Sequence, residues 1–149
     1  MRMLDAYCGL YCGACPKFMM TENGEIEEFA AKNGLSVEDF ACSGCKSGQV
    51  AKWCRVCKLK MCAQEKGFDS CAECRDYPCT DLISFRDDPK YPYHKEIAAY
   101  LEEIKEAGKE AWLLSMKERW SCKNCGEPYN WYQLVCDNCK EKVNGYEEP

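Results

Sequence analysis

Cys122-Lys123-Asn124-Cys125-Gly126 opens a knuckle that is answered ten residues later by Cys136-x2-Cys139. Two thiolates separated by two residues can grip one ion while the intervening backbone N–H groups point at the sulfurs. Gly126 suits the positive φ that such a turn needs. Four cysteines at this spacing are the ligand set of a zinc ribbon. A ribbon is built from a small pair of β-hairpins, so Trp131-Tyr132-Gln133-Leu134-Val135 is expected to be a strand. Trp120, just before the first knuckle, is expected to pack the ribbon onto whatever precedes it.

Fifteen of the 149 residues are cysteine, and most lie in Cys-x2-Cys pairs. Close pairs and an odd total fit a secreted disulfide framework poorly. The opening Met1-Arg2-Met3-Leu4-Asp5 leads into no apolar stretch long enough for a signal peptide or a membrane helix. Reduced, metal-bound thiols in the cytoplasm are the expectation, with no membrane partner. Apolar residues make up 46% of the chain, but cysteine supplies about 10 of those points, which leaves a thin ordinary core. Metal must replace part of the missing hydrophobic stabilisation.

The formal charge of −5 treats each cysteine as neutral. A zinc ion with four thiolates carries −2, so three such sites bring the total to about −11. A molecule that acidic is a poor general binder of nucleic acid. Lys46, Lys52, Arg55, Lys58 and Lys60 nevertheless run without an acidic residue among them. They read either as a phosphate-binding face or, preferably, as cations that neutralise neighbouring thiolates. Tyr129, Trp131 and Tyr132 could stack bases; without basic residues clustered beside them, packing is the better reading.

Three regions separate by composition: a cysteine-rich metal-binding domain at 1–90, a helical connector at 91–120, and the ribbon with a polar tail at 121–149. The tail is expected to fray. In the first region short helices are expected over Glu25 to Lys32, from a Ser36 cap through Phe40, and from Thr80 through Phe85. In the connector Ile97, Tyr100, Leu101 and Ile104 recur at helical spacing, Gly108 breaks the helix, and a second runs from Lys109 to Arg119. The fold class read from this is α+β, leaning to helix and organised by metal.

The first region hides a repeat. Cys45, Cys54, Cys57 and Cys62 recur seventeen residues later as Cys62, Cys71, Cys74 and Cys79. With Cys42 they supply eight thiols, enough for two four-cysteine sites. The sequential split is Cys42/Cys45/Cys54/Cys57 and Cys62/Cys71/Cys74/Cys79; a cross-braced split is equally open. Cys8, Cys12 and Cys15 then stand apart as three thiols with an open fourth position, which suits water, substrate or a [4Fe–4S] cluster with one accessible iron. The same C-x3-C-x2-C spacing occurs in radical S-adenosylmethionine enzymes, but this chain is too short for their barrel. His94, the only histidine, and Asp5 are the candidate fourth ligands, although a lone histidine at a helix entry is more often a packing residue. No nucleophile–histidine–carboxylate set and no glycine-rich phosphate loop can be assigned.

Cys8-Gly9-Leu10-Tyr11-Cys12-Gly13-Ala14-Cys15-Pro16, Cys42-Ser43-Gly44-Cys45 and Cys71-Ala72-Glu73-Cys74-Arg75-Asp76-Tyr77-Pro78-Cys79 together resemble an uncharacterised cysteine-rich family of unknown function, common in anaerobic bacteria and archaea. The resemblance spans nearly all of residues 4–86, and some relatives share the Arg119-Trp120-x-Cys122 junction into a terminal ribbon. Lys140 stands where the second knuckle of such a ribbon frequently has glycine. The resemblance implies a metal-binding cytoplasmic protein and supplies no reaction.

The functional expectation is a multi-site protein binding three to four Zn2+ ions, a structural or interaction module rather than an enzyme. Its partner is expected to be a protein ahead of a nucleic acid. The alternatives are an iron–sulfur protein of electron transfer or redox sensing, with [4Fe–4S] clusters in residues 8–79, and an enzyme built on the open three-cysteine site.

Overall fold

Ile97, Tyr100 and Leu101 are buried along one side of a helix, and the rest of the molecule is arranged around them. The computed structural model describes residues 3–149. Met1 and Arg2, part of the opening examined for a leader, lie outside the described residues. Among the described residues eight α-helices follow in order: α1 (Pro16–Glu22), α2 (Ile26–Lys32), α3 (Val37–Phe40), α4 (Lys52–Arg55), α5 (Lys58–Lys66), α6 (Thr80–Arg86), α7 (Ile97–Ala107) and α8 (Lys109–Arg119). Short 3-10 turns at Cys12–Ala14, Cys71–Glu73 and Pro92–Glu96 join them.

Helices α2, α3, α6, α7 and α8 lie where the sequence places them, although the Ser36 side chain makes no capping hydrogen bond. Gly108 ends α7 at φ +88° and starts α8, and the two helices pack on each other, with Tyr100 edge-on to Trp112 and Ser115 donating to Glu103. Sequence reading missed α1, α4 and α5. Pro16 opens α1 at its first turn, where its missing N–H costs nothing, and Gly67 closes α5 in the left-handed conformation. Cys54 in α4 and Cys62 in α5 obscure the apolar stripes of those two helices.

The chain is helix-rich, and among the described residues β structure is confined to three isolated bridges, Asp5–Tyr11, Ser121–Pro128 and Val135–Lys142. The strand expected at Trp131–Val135 is a turn with one bridged residue at its end. The reason is local: the Asn130 side chain accepts from the Tyr132 N–H at 2.8 Å, and the Gln133 N–H bonds back to the Asn130 carbonyl at 3.1 Å. This curl turns Trp131 inward onto the Tyr93 ring, stacked with centroids 4.0 Å apart.

One buried cluster draws on all three stretches of the chain, from Ala6, Cys8 and Tyr11 through Leu101 and Trp112 to Tyr129, Cys136 and Val143. A smaller one joins Ile26 and Ala30 of α2 to Phe40 and Ala41. The tail does not fray as expected at Asn144–Tyr146. The Arg119 guanidinium donates to the Asn144 carbonyl at 2.9 Å, and the Tyr146 hydroxyl donates to Glu96. Glu96 also accepts from Tyr100 at 2.8 Å and pairs with Arg119 at 3.3 Å. A single carboxylate thus ties the tail to the helical pair.

Candidate metal centres

The ribbon is built from two matched knuckles. In the first, the Cys122 N–H bonds to the Glu127 carbonyl and the Gly126 N–H to the Cys122 carbonyl, both at 2.8 Å. In the second, Cys136 bonds to Glu141 at 2.8 Å and Lys140 to Cys136 at 3.0 Å. Gly126 takes φ +79°, and Lys140 takes φ +66° in the equivalent place. Lysine therefore adopts the left-handed turn that glycine would take at lower cost.

All four ribbon sulfurs lie within 4.8 Å of one another. Cys122 and Cys139 approach to 3.6 Å, as do Cys125 and Cys136. Zn–S bonds of about 2.3 Å in a tetrahedron put sulfurs about 3.8 Å apart, so the set fits a single tetrahedral ion. Asn124 and Asn138 cross over between the knuckles. The Asn124 side chain bonds to Cys139, and with the Glu141 amide holds that thiol down at about 6. The Asn138 side chain does the same for Cys125, assisted by the Glu127 amide, and lowers it too. Sequence reading missed both asparagines, although Cys-x-Asn-Cys occurs in each knuckle. Such neighbours hold a ligand in the deprotonated form a metal needs.

The remaining eleven thiols gather in two neighbourhoods. Cys62, Cys71, Cys74 and Cys79 line one cavity of about 40 Å³ with Lys66, Tyr77 and Leu82. The Lys66 ammonium lies 3.8 Å from the Cys74 sulfur. Burial and the neighbouring Cys79, Cys62 and Cys74 push the Cys71 thiol up to about 11.

The other seven cysteines interleave. Cys42 and Cys54 pack together against Val50 and Ala51. Burial first, then the proximity of Cys15, Cys42, Cys45 and Cys57, pushes Cys54 up to about 12. Cys15 is raised to about 11 by burial, against the Phe18 amide, with Cys42 adding to the rise. Cys8 is raised by burial and faces Cys45, Cys57 and Cys71. Five of these sulfurs accept backbone N–H groups: Cys8 from Leu10, Cys12 from Cys45 at 3.3 Å, Cys15 from Phe18, Cys42 from Gly44 at 3.4 Å and Cys45 from Tyr7. Buried, mutually repelling thiols that nonetheless receive N–H donors are suited to thiolates around a cation. Among the described residues, no second group of three such ligands closes to the ribbon's 4.8 Å spacing.

Cys8, Cys12 and Cys15, read as one triad, lie together in this second neighbourhood, interleaved with Cys42, Cys45, Cys54 and Cys57. Both candidate fourth ligands already have partners. The Asp5 carboxylate receives the Lys46 ammonium at 2.6 Å. His94 is sandwiched between Phe85 and Tyr91, its Nδ1 2.8 Å from the Phe85 carbonyl. Four of the five cations in the basic run are also engaged internally, Lys58 with Asp81 at 3.1 Å. Lys46 pairs with Asp5 and Asp69, Lys60 donates to the Cys45 carbonyl at 2.7 Å, and Arg55 bonds to the Val50 and Glu38 carbonyls. Tyr129 and Trp131 are buried.

The glycines of the opening motif position its thiols. Gly9 turns at φ +97°, and a Cβ there would sit 2.8 Å from Leu101 Cγ on α7. At Gly13 a Cβ would overlap the Tyr11 ring, which lies edge-on to Trp112. The turn carrying Cys8, Cys12 and Cys15 is therefore clamped onto the α7–α8 pair.

A cysteine-rich chain with at least one preformed four-thiol metal site is what this geometry defines. The chain belongs to the family described as Protein of unknown function (DUF3795), which it matches over residues 4–84. No curated protein and no solved structure matches it.

Proposed function

We propose that the protein is a multi-site thiolate metal binder, mainly of zinc, in which metal organises a rigid module that docks a protein partner in the cytoplasm. The observation that carries this is the ribbon tetrad, whose four sulfurs lie within 4.8 Å of one another with asparagines bonded to two of them. Zinc there supplies a closed structural cross-link and no open position for chemistry. Trp53, Val56 and Met61, exposed by 46%, 73% and 56%, supply apolar contact area along α4 and α5. Tryptophan and methionine of this kind suit protein interfaces better than phosphate binding. Among the described residues no helix is long and apolar enough to cross a membrane.

A second reading has its own support. The thiols of residues 8–79 gather without closing to the ribbon's spacing, and a cluster of iron and sulfide needs its thiolates further apart than one ion does. Under this reading the ribbon holds zinc and the first half holds iron–sulfur clusters.

Native mass spectrometry of the whole chain beside a Cys125→Ser/Cys139→Ser variant tests the assignment. Loss of one zinc, with the remaining metal retained, supports a zinc ribbon next to separate sites. An unchanged metal count contradicts it.

A further inference from the structure

Three cysteine motifs of the first half meet at a knot of charge that contains no thiol. Asp5 lies three residues before Cys8, Lys46 follows Cys45, and Asp69 stands two residues before Cys71. The Lys46 ammonium donates to Asp5 Oδ2 at 2.6 Å, to Asp69 Oδ1 at 2.8 Å and to the Asp69 carbonyl at 2.7 Å. All three of its N–H groups are thereby used. Lys109, at the start of α8, brings a second ammonium 3.2 Å from Asp69 and 3.7 Å from Asp5. Two carboxylates thus face two ammonium groups, and the set is neutral. Only 7% of the Lys46 side chain and 9% of the Asp5 side chain are exposed. A buried ion pair adds little stability over apolar packing, and its best-attested use is to fix register.

Backbone contacts show what is held in register. The Cys45 N–H crosses to the Cys12 sulfur at 3.3 Å. Gly44, at φ +113°, lies so close to the Met3 carbonyl that a Cβ would overlap it. On the other side the Cys71 N–H bonds to the Tyr7 carbonyl at 2.8 Å, and the Lys46 ammonium sits 4.8 Å over the Tyr7 ring. We propose that Lys46 is a positioning residue for metal loading: held between Asp5 and Asp69, it keeps the opening motif, the Cys42–Cys45 knuckle and the Cys71–Cys79 motif in register before an ion arrives. This deepens the metal-binding reading above and rests on it, whichever thiols share each ion. Among the described residues no three thiols outside the ribbon close to its spacing, so a binding ion must draw them inward. A fixed register lowers the cost of that step, as preorganisation does for any ligand. Lys109 touches the same two carboxylates from α8, which contains no cysteine, so it lends charge without joining motifs.

The test counts zinc by native mass spectrometry on the whole chain, stripped of metal under reducing, anaerobic conditions and equilibrated with buffers of rising free Zn2+. The ribbon, whose sulfurs are already closed, should take the first ion at the same free zinc in every variant. The later ions should need about tenfold more free zinc in Lys46→Met, the scale seen when groups behind metal ligands are removed. Asp69→Asn, which keeps the side chain's shape, should move them the same way by several-fold. Lys109→Met should leave them near the wild-type concentration. Later ions that bind as in wild type in both Lys46→Met and Asp69→Asn overturn the proposal, and so does an equal loss in Lys109→Met. A first ion weakened as much as the later ones overturns it too, because Lys46 would then support the fold as a whole. A wild-type chain that never takes more than one zinc overturns it together with the multi-site reading.

Discussion

Asn124 and Asn138 act alike from opposite sides of the ribbon, each hydrogen-bonding the last cysteine of the other knuckle and favouring its thiolate form. Outer-sphere partners of this kind are worth about 10–100-fold in metal affinity. Asn124→Ala should therefore speed zinc loss to a chromogenic chelator by about tenfold or more at neutral pH. An unchanged rate would mean that the backbone amides alone suffice. Lys140 gives the opposite kind of prediction. Its φ of +66° costs a non-glycine residue about 1 kcal/mol or more, so Lys140→Gly should stabilise the metal-loaded protein by up to about 1 kcal/mol. Calorimetry at saturating zinc would show this as a raised Tm; a lowered one would mean that the Lys140 ammonium bond to the Asp137 carbonyl, 2.6 Å long, outweighs the turn. Position 140 is legible in sequence as a departure from glycine, but its φ is not. Nor can spacing alone show which cysteine each asparagine would reach.

At the scale of elements, the opening motif and α7 depend on each other. Gly9 and Gly24 both have positive φ, but only Gly9 has a neighbour, Leu101, in the way of a Cβ. Gly24→Ala should cost about 1 kcal/mol, from backbone conformation alone. Gly9→Ala should cost about 2–4 kcal/mol, because overpacking against Leu101 is added. Urea denaturation of both variants at saturating metal makes the comparison, and equal costs would contradict the clamp. The connector helices were readable because Ile97, Tyr100, Leu101 and Ile104 repeat at a helical period and Gly108 breaks it. Helix α5 was not, because Cys57 and Cys62 face thiol clusters and Lys58 and Lys60 carry charge through the same turns, so no apolar stripe survives. The Trp131–Val135 segment looked like a strand for its aromatic and branched residues, and Asn130 decided otherwise through its hydrogen bonds. The interleaving of Cys8, Cys12 and Cys15 with Cys42, Cys45, Cys54 and Cys57 needed tertiary structure, since thiol partition is not encoded in spacing.

For the whole molecule, Glu96 joins parts distant in sequence: Arg119 at the end of α8, Tyr100 on α7 and Tyr146 in the tail. Removing its charge while leaving Arg119 partly buried should cost about 2–4 kcal/mol. Glu96→Gln should also release the tail, seen as faster proteolysis within residues 144–149. Cleavage at the wild-type rate would place the tail's anchorage elsewhere, for example at the Tyr146 N–H bond to the Trp131 carbonyl. On the proposed reading, metal supplies the larger share of the stability. A structural zinc site is worth on the order of 10–16 kcal/mol, comparable to the net stability of a whole domain. A tight chelator should therefore remove much of the helical circular dichroism along with the ribbon, and restored zinc should bring it back. Full helicity without metal would mean that the cluster around Ile97, Leu101 and Trp112 stands by itself.

The central claim is that the fifteen cysteines are thiolate ligands of several ions, zinc foremost. Elemental analysis with a visible spectrum, on protein purified without oxygen, tests it most directly. Fifteen thiols at about four per tetrahedral ion predict three to four zincs per chain and no colour. Iron with inorganic sulfide and a brown solution would transfer the first half to iron–sulfur chemistry. One metal or none would contradict the multi-site account.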